Sequence, residues 1–140
     1  MHRNLHHEKG ASSQGVVHHP QILYIDDNED HLLLVKEWLT KSHKEIEVDI
    51  EMSGEKALEI VKNGSFDLIL LDYKLTHQDG LKLLRQMKRQ GVKCPIIILT
   101  GQGDERVAVE AIKCGAQDYL SKESGNLDKL VQIIEKIVVH

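Results

Sequence analysis

The stretch ILYIDDNED, residues 22–30, runs four apolar or aromatic residues into Asp26, Asp27, Glu29 and Asp30, interrupted only by Asn28. Carboxylates this close repel, so something must offset the crowding: a cation, a helix N-terminus, or water. A calcium loop is one candidate, because Asp26, Asn28, Asp30 and Glu37 fall at positions 1, 3, 5 and 12 of an EF-hand. Position 6 of that loop needs glycine for its sharp turn and here is His31, and the residues before Asp26 read as a strand rather than a helix. Helix capping accounts for part of the cluster. Asp27 or Asn28 can cap a helix that begins near Glu29, which places Glu29 and Asp30 at the positive end of its dipole. Capping does not explain Asp26 and Asp27.

The elements that must position these residues are legible from periodicity. Short apolar runs, ILYI (22–25), IEVDIEM (46–52), FDLILL (66–71), CPIIIL (94–99) and AQDYL (116–120), alternate with stretches of helical period at 29–41, 54–62, 80–90, 104–114 and 126–138. The last is the clearest, with Leu127, Leu130, Val131, Ile134, Ile137 and Val138 on one face. Five strand–helix pairs in succession predict an α/β fold, a parallel sheet with helices on both faces. ILYI, LILL and IIIL are apolar throughout, as strands buried on both faces should be. The second run alternates Ile46, Val48, Ile50 and Met52 with Glu47, Asp49 and Glu51, which suits an edge strand.

Open α/β sheets bind ligands beyond the carboxyl ends of their strands, where the strand order reverses. Asp26 and Asp27 follow the first strand, Asp72 the third, Thr100 and Gly101 the fourth, and Ser121 and Lys122 the fifth. Met52-Ser53-Gly54, after the second, offers no obvious chemistry. Three carboxylates, a hydroxyl and a lysine on one rim suit a Mg²⁺ site, since Mg²⁺ takes one or two carboxylates, waters and phosphate oxygens. Lys122 is redundant for the cation alone and useful if a phosphoryl group is also held. Thr100 could then donate a hydrogen bond to that group. These are the parts required for phosphoryl transfer to a carboxylate.

Here the chain resembles the receiver domain of response regulators, from about Gln21 to Val139, through YIDDNED, FDLILLDYKLTHQDGLKLLRQMK and PIIILTGQGDERVAVEAIKCGAQDYLSK. The resemblance implies a flavodoxin-like, doubly wound five-stranded sheet of order 2-1-3-4-5. It implies Asp72 as phosphoacceptor and a Mg²⁺ cofactor bound directly by Asp27 and Asp72, through water by Asp26, and by the backbone carbonyl of Lys74. Thr100 and Tyr119 would be the switch pair and Lys122 the phosphate-binding lysine. Lys74 and Gln102, two residues beyond Asp72 and Thr100, would flank the approach to the phosphoryl group and set its lifetime. The sequence departs from the family at Leu75 and Thr76, where Met-Pro is common, and at Glu123, where a proline with a cis bond is common. A non-proline cis bond costs about 2.5–4 kcal/mol. None of these departures removes a chemical group.

The implied function is a phosphoacceptor switch in a two-component relay, without turnover of an external substrate. The partners are a histidine kinase or phosphotransfer protein, and a target or second copy bound through 104–138. The alternative is a phosphohydrolase with an aspartyl-phosphate intermediate. Such enzymes carry D-x-D after the first strand, whereas that spacing here gives Asp26 and Asn28, and no insertion is large enough to cap a substrate.

The rest of the chain reads plainly. Its 140 residues suggest one domain at 21–140, preceded by a His-rich tail at 1–20 expected to be flexible. Because the sequence stops at the fifth helix, a single-domain regulator or a piece of a longer one is expected. A net charge of −4 gives no overall attraction to nucleic acid, and no apolar run approaches the roughly 20 residues of a membrane helix. Cys94 and Cys114 form no CxxC pair and read as packing residues in a reducing cytoplasm. Lys82, Arg85, Lys88, Arg89 and Lys93 read as a solvated helix face, and Trp38 as core.

Overall fold

The computed structural model describes residues 19–42, 45–75, 79–101, 105–122 and 124–138. The expectation of a flexible tail rests on residues 1–18, which lie outside that set, as do Thr76, Gln102 and Glu123. Ten elements alternate: β1 (Gln21–Ile25), α1 (Glu29–Ser42), β2 (Glu47–Glu51), α2 (Gly54–Asn63), β3 (Leu68–Asp72), α3 (Gly80–Arg89), β4 (Ile96–Thr100), α4 (Glu105–Lys113), β5 (Asp118–Ser121) and α5 (Ser124–Val138). The strands form one parallel sheet in the order β2-β1-β3-β4-β5, as expected.

Strand alternation divides the core in two. Ile22, Tyr24, Leu68, Leu70, Ile97 and Leu99 face α1 and α5, where they meet Leu32, Val35, Leu39, Leu127, Leu130 and Ile134. Leu23, Ile25, Ile69, Leu71, Ile96 and Ile98 face the other way and pack on Ala57, Leu83, Leu84, Met87 and Ala111 of α2, α3 and α4. Every residue of β3 and β4 is buried, which is why both strands are apolar up to the polar residues that end them, Asp72 and Thr100. Truncating a fully buried residue such as Leu70 to alanine should cost about 2–5 kcal/mol.

The edge strand departs from its expected pattern. Ile46 and Val48 are buried, but Ile50 is 37% and Met52 48% exposed, so the alternation marks an inward face only along the first half of β2. Beyond it Glu51 turns to the chain, accepting a hydrogen bond from the Ser53 amide at 2.9 Å. Trp38 is half-buried against the α1/α5 core rather than enclosed in it. Lys82, Arg85, Arg89 and Lys93 are exposed and Lys88 half-exposed, as a solvated face requires. Both cysteines are free and half-buried.

Local chemistry sets the ends of the helices that lead from the rim. Asn28, not Asp27, caps α1: its Oδ1 accepts from the His31 amide at 3.1 Å. Ser53 caps α2 by accepting from the Lys56 amide at 3.2 Å. Asp79 caps α3 by accepting from the Lys82 amide at 2.7 Å. Gly80 follows because nothing larger fits there: a Cβ would collide with the carbonyl oxygen of Asp72. The Gly80 amide donates to the Tyr73 carbonyl at 2.6 Å, so the turn into α3 is tied to the end of β3.

Candidate functional site

Asp26 and Asp72 are brought together by register. β1 and β3 are adjacent and parallel, with Ile25 opposite Leu71, so Asp26 and Asp72 are the next pair at the strand ends. Parallel neighbours lie about 4.8 Å apart, close enough for the two carboxylates to interact directly. Both residues continue the alternation of Tyr24 and Leu70 and therefore point to the α1/α5 side. β1 is also where the chain reverses its direction across the sheet, since β2 lies on one flank and β3 on the other. Asp27, half-buried, completes a group of three carboxylates whose oxygens lie within 4.8 Å of one another. The group opens into a cleft of about 220 Å³ lined also by Lys74, Thr100 and Lys122.

The crowding is offset within the chain. Lys122 follows β5, and its amide donates to the Thr100 carbonyl at 2.8 Å. Its ammonium reaches back across the sheet to Asp26 Oδ2 at 2.7 Å and Asp72 Oδ1 at 2.9 Å. The Lys122 side chain is 12% exposed and the two carboxylates less, so solvent screens these pairs poorly. Asp26 is fully engaged: Oδ2 also accepts the Tyr24 hydroxyl at 2.7 Å, and Oδ1 accepts the Asn28 amide at 3.0 Å. Burial, and then the facing Asp26 carboxylate, push the Tyr24 phenol far above its ordinary range, so it remains a donor. Burial likewise raises the Asp72 carboxyl above its ordinary value; the Lys122 hydrogen bond opposes the shift, while the Asp26 and Asp27 charges add to it.

Thr100 ends β4, buried, on the α3/α4 side with Ile96 and Ile98. Tyr119 lies opposite Ile98, so its side chain and that of Thr100 share a face of the sheet. The Tyr119 hydroxyl is already buried, and among the described residues it has no hydrogen-bond partner. Lys74 is exposed at the mouth of the cleft and forms an antiparallel bridge with Asp79. Asp26, Asp27, Asp72, Lys74, Thr100 and Lys122 therefore gather at one cleft, and Tyr119 lies one strand away. Gln102 lies outside the described residues.

Sequence reasoning passed over Tyr24 and His31. Tyr24 was legible in principle, because a residue two before Asp26 on a strand shares its side of the sheet. His31 reaches the cleft from the first turn of α1, and its Nδ1 lies 2.8 Å from Lys122 Nζ. No spacing rule links residues 31 and 122; only the fold brings them together.

A doubly wound sheet with an acidic pair, a third strand-end aspartate, a hydroxyl and a lysine around one cleft defines a class of signalling module. Residues 22–135 match the family described as response regulator receiver domain, and the chain belongs to it. Over 119 residues the chain is 34% identical to the transcriptional regulatory protein ZraR of Escherichia coli (strain K12), covering 85% of this chain and 26% of that protein. The chain thus spans about a quarter of the length of such relatives. A two-component response regulator from Clostridium difficile superposes with a TM-score of 0.77 at 28% identity, covering 86% of this chain and 97% of that one. A response regulator protein from Burkholderia pseudomallei, solved with a phosphorylated aspartic acid, calcium ion and citrate, gives 0.72 at 27% identity, over 82% of this chain and 66% of that one. Receiver domains are signalling modules, and among the described residues no helix is long and apolar enough to cross a membrane.

Proposed function

We propose that Asp72 is the phosphoacceptor of this receiver domain, charged by a histidine kinase or phosphotransfer protein in a Mg²⁺-dependent reaction. The observation that carries the reading is the cluster of three carboxylates within 4.8 Å, with the Lys122 ammonium between Asp26 and Asp72.

The donor set fits a hard divalent cation. All three groups are carboxylates, with no thiolate or imidazole among them, and such sets suit Mg²⁺ or Ca²⁺. The calcium ion and phosphorylated aspartic acid in the Burkholderia pseudomallei protein support the same reading. Asp27 and Asp72 would hold Mg²⁺ directly, Asp26 through a water, with the Lys74 carbonyl as a further ligand. The bound cation supplies positive charge to the phosphoryl oxygens. Asp72 attacks phosphorus with a carboxylate oxygen. A P–O bond forms, the donor P–N bond breaks, and its electron pair returns to the donor imidazole. Lys122, already at Asp72, neutralises the oxygens of the arriving group, and the Thr100 hydroxyl donates to one of them.

Phosphorylation then shifts a two-state equilibrium, with Thr100 drawn toward the phosphoryl group and Tyr119 repacking behind it. The surface that changes is the α4–β5–α5 side, 104–138, where Val109 is 54% and Ile112 50% exposed and available to a target or a second copy. The module acts in the cytoplasm, where its kinase presents phosphohistidine.

The test is intact mass after incubation with acetyl phosphate or phosphoramidate and Mg²⁺. A single phosphoryl adduct should form in wild type, not in EDTA, and not in Asp72→Asn. An adduct at wild-type yield in Asp72→Asn would overturn the assignment. Small phosphate esters should not be turned over repeatedly; sustained turnover would favour the phosphohydrolase.

A further inference from the structure

His31 is the one imidazole at the cleft among the described residues, and the mechanism above does not use it. Its Nδ1 lies 2.8 Å from Lys122 Nζ and 3.8 Å from Asp26 Oδ2. An ammonium has three N–H donors and no lone pair. At 2.8 Å the contact is a hydrogen bond only if Nδ1 carries a lone pair, which puts the proton of the neutral ring on Nε2. Asp26 Oδ2, Asp72 Oδ1 and His31 Nδ1 then supply one acceptor for each ammonium proton.

The three acceptors are not equivalent once the site is at work. Asp26 and Asp72 are the groups to which a cation and a phosphoryl group would be directed, and both must loosen their hold on Lys122. His31 stands outside the carboxylate group and is uncharged as an acceptor, so it competes for neither. It approaches from α1, while Lys122 approaches from the end of β5, and it can keep the ammonium beside Asp72 while the carboxylates change partners. A carboxylate at that position would lock the lysine in place. An apolar residue would leave its third donor to water.

We propose that His31 is a positioning residue for Lys122, holding the ammonium at the phosphoryl site through an Nε2–H tautomer. This rests on Asp72 being the phosphoacceptor, and two measurements separate the claims. The first is the two-bond ¹H–¹⁵N spectrum of the histidine rings at mildly alkaline pH, with His31→Ala to assign the signal. His31 should show its unprotonated nitrogen at Nδ1; a protonated Nδ1 would rule out the contact whatever the site does.

The second is the rate of labelling by acetyl phosphate at saturating Mg²⁺. His31→Ala should slow it about three- to tenfold, the size of one ordinary net hydrogen bond, as expected at a half-exposed site, and leave Mg²⁺ affinity nearly unchanged. His31→Gln, whose Oε1 can accept, should recover most of the rate. In a Lys122→Ala background, His31→Ala should have no further effect, because its influence passes through the lysine. If wild type is labelled at Asp72 and His31→Ala matches it, or if the loss persists undiminished without Lys122, the positioning role is wrong. If wild type is not labelled at all, the phosphoacceptor reading fails and the tautomer alone decides the contact.

Discussion

The Lys122 ammonium lies 2.9 Å from Asp72 Oδ1, having crossed from the end of β5 to the end of β3, and also touches Asp26 at 2.7 Å. The protein's own cation thus stands among the carboxylates to which Mg²⁺ would bind. Crowding at the strand ends is relieved before any metal arrives, and the lysine must give way when one does.

That competition predicts an unusual sign. Lys122→Ala should tighten Mg²⁺ binding about three- to tenfold by removing a positive charge from the cluster, while impairing the response to phosphorylation. Calorimetry of Mg²⁺ binding checks this; affinity unchanged or weaker in the variant would show that ammonium and metal do not compete. Asp27→Ala should do the reverse, abolishing most of the Mg²⁺-dependent rise in melting temperature.

Asp72 should cost the fold stability when ionised. Its carboxyl is held above the ordinary value of 3.8, chiefly by burial. Between that value and the raised one, the native state holds more protons than the unfolded chain, so stability falls as pH rises through the window. Without divalent cations, Asp72→Asn should remove that slope and be more stable than wild type at neutral pH, with the advantage vanishing below the ordinary carboxylate value. Urea melts across the acidic range measure it. A variant less stable than wild type at neutral pH would mean that the ion pair with Lys122 outweighs desolvation.

Tyr119 carries a buried hydroxyl with no partner among the described residues. An unsatisfied buried hydroxyl costs about 1–3 kcal/mol, so Tyr119→Phe should be neutral or stabilising in the unphosphorylated state. Beryllofluoride, which mimics the phosphoryl group, should shift the NMR signals of Tyr119 along with those around Asp72. Shifts confined to the Asp72 loop would break the proposed coupling, and marked destabilisation by Tyr119→Phe would show that the hydroxyl has a partner.

Lys74 is exposed at the mouth of the cleft, two residues past Asp72. Its long cationic side chain can lie over the phosphoryl oxygens and exclude water, and it brings no carboxylate to orient one. We expect slow self-dephosphorylation, accelerated about two- to fivefold in Lys74→Ala and Lys74→Asn, within the range of a surface charge. Equal decay in all three proteins would show that Lys74 points away from the approach.

The architecture was legible because strands buried on both faces are apolar at every position. The runs around Leu70 and Ile97 announced central strands, and Glu47, Asp49 and Glu51, alternating with apolar residues, marked the edge. The rim was legible because open sheets gather their chemistry at strand ends, which Asp26, Asp72 and Lys122 occupy. Pairing was not legible. The link from Lys122 to Asp26 spans 96 positions and depends on register, side-chain reach and the hydrogen bond of the Lys122 amide to the Thr100 carbonyl. The same gap hid His31, and the exposure of Ile50 and Met52 is a matter of tertiary packing that alternation along the strand does not carry. The demand for glycine at 80 was likewise a matter of three dimensions, set by the carbonyl of Asp72.

Chemical mapping of the acyl phosphate shows whether the phosphoryl group resides on Asp72. Borohydride reduces an aspartyl phosphate to homoserine, which sequencing by mass spectrometry can place. After incubation with phosphoramidate and Mg²⁺, homoserine should be found at position 72 alone, and none should form without Mg²⁺. Homoserine at position 26 or 27, or a phosphoryl adduct that yields none, would rule out Asp72 as the phosphoacceptor.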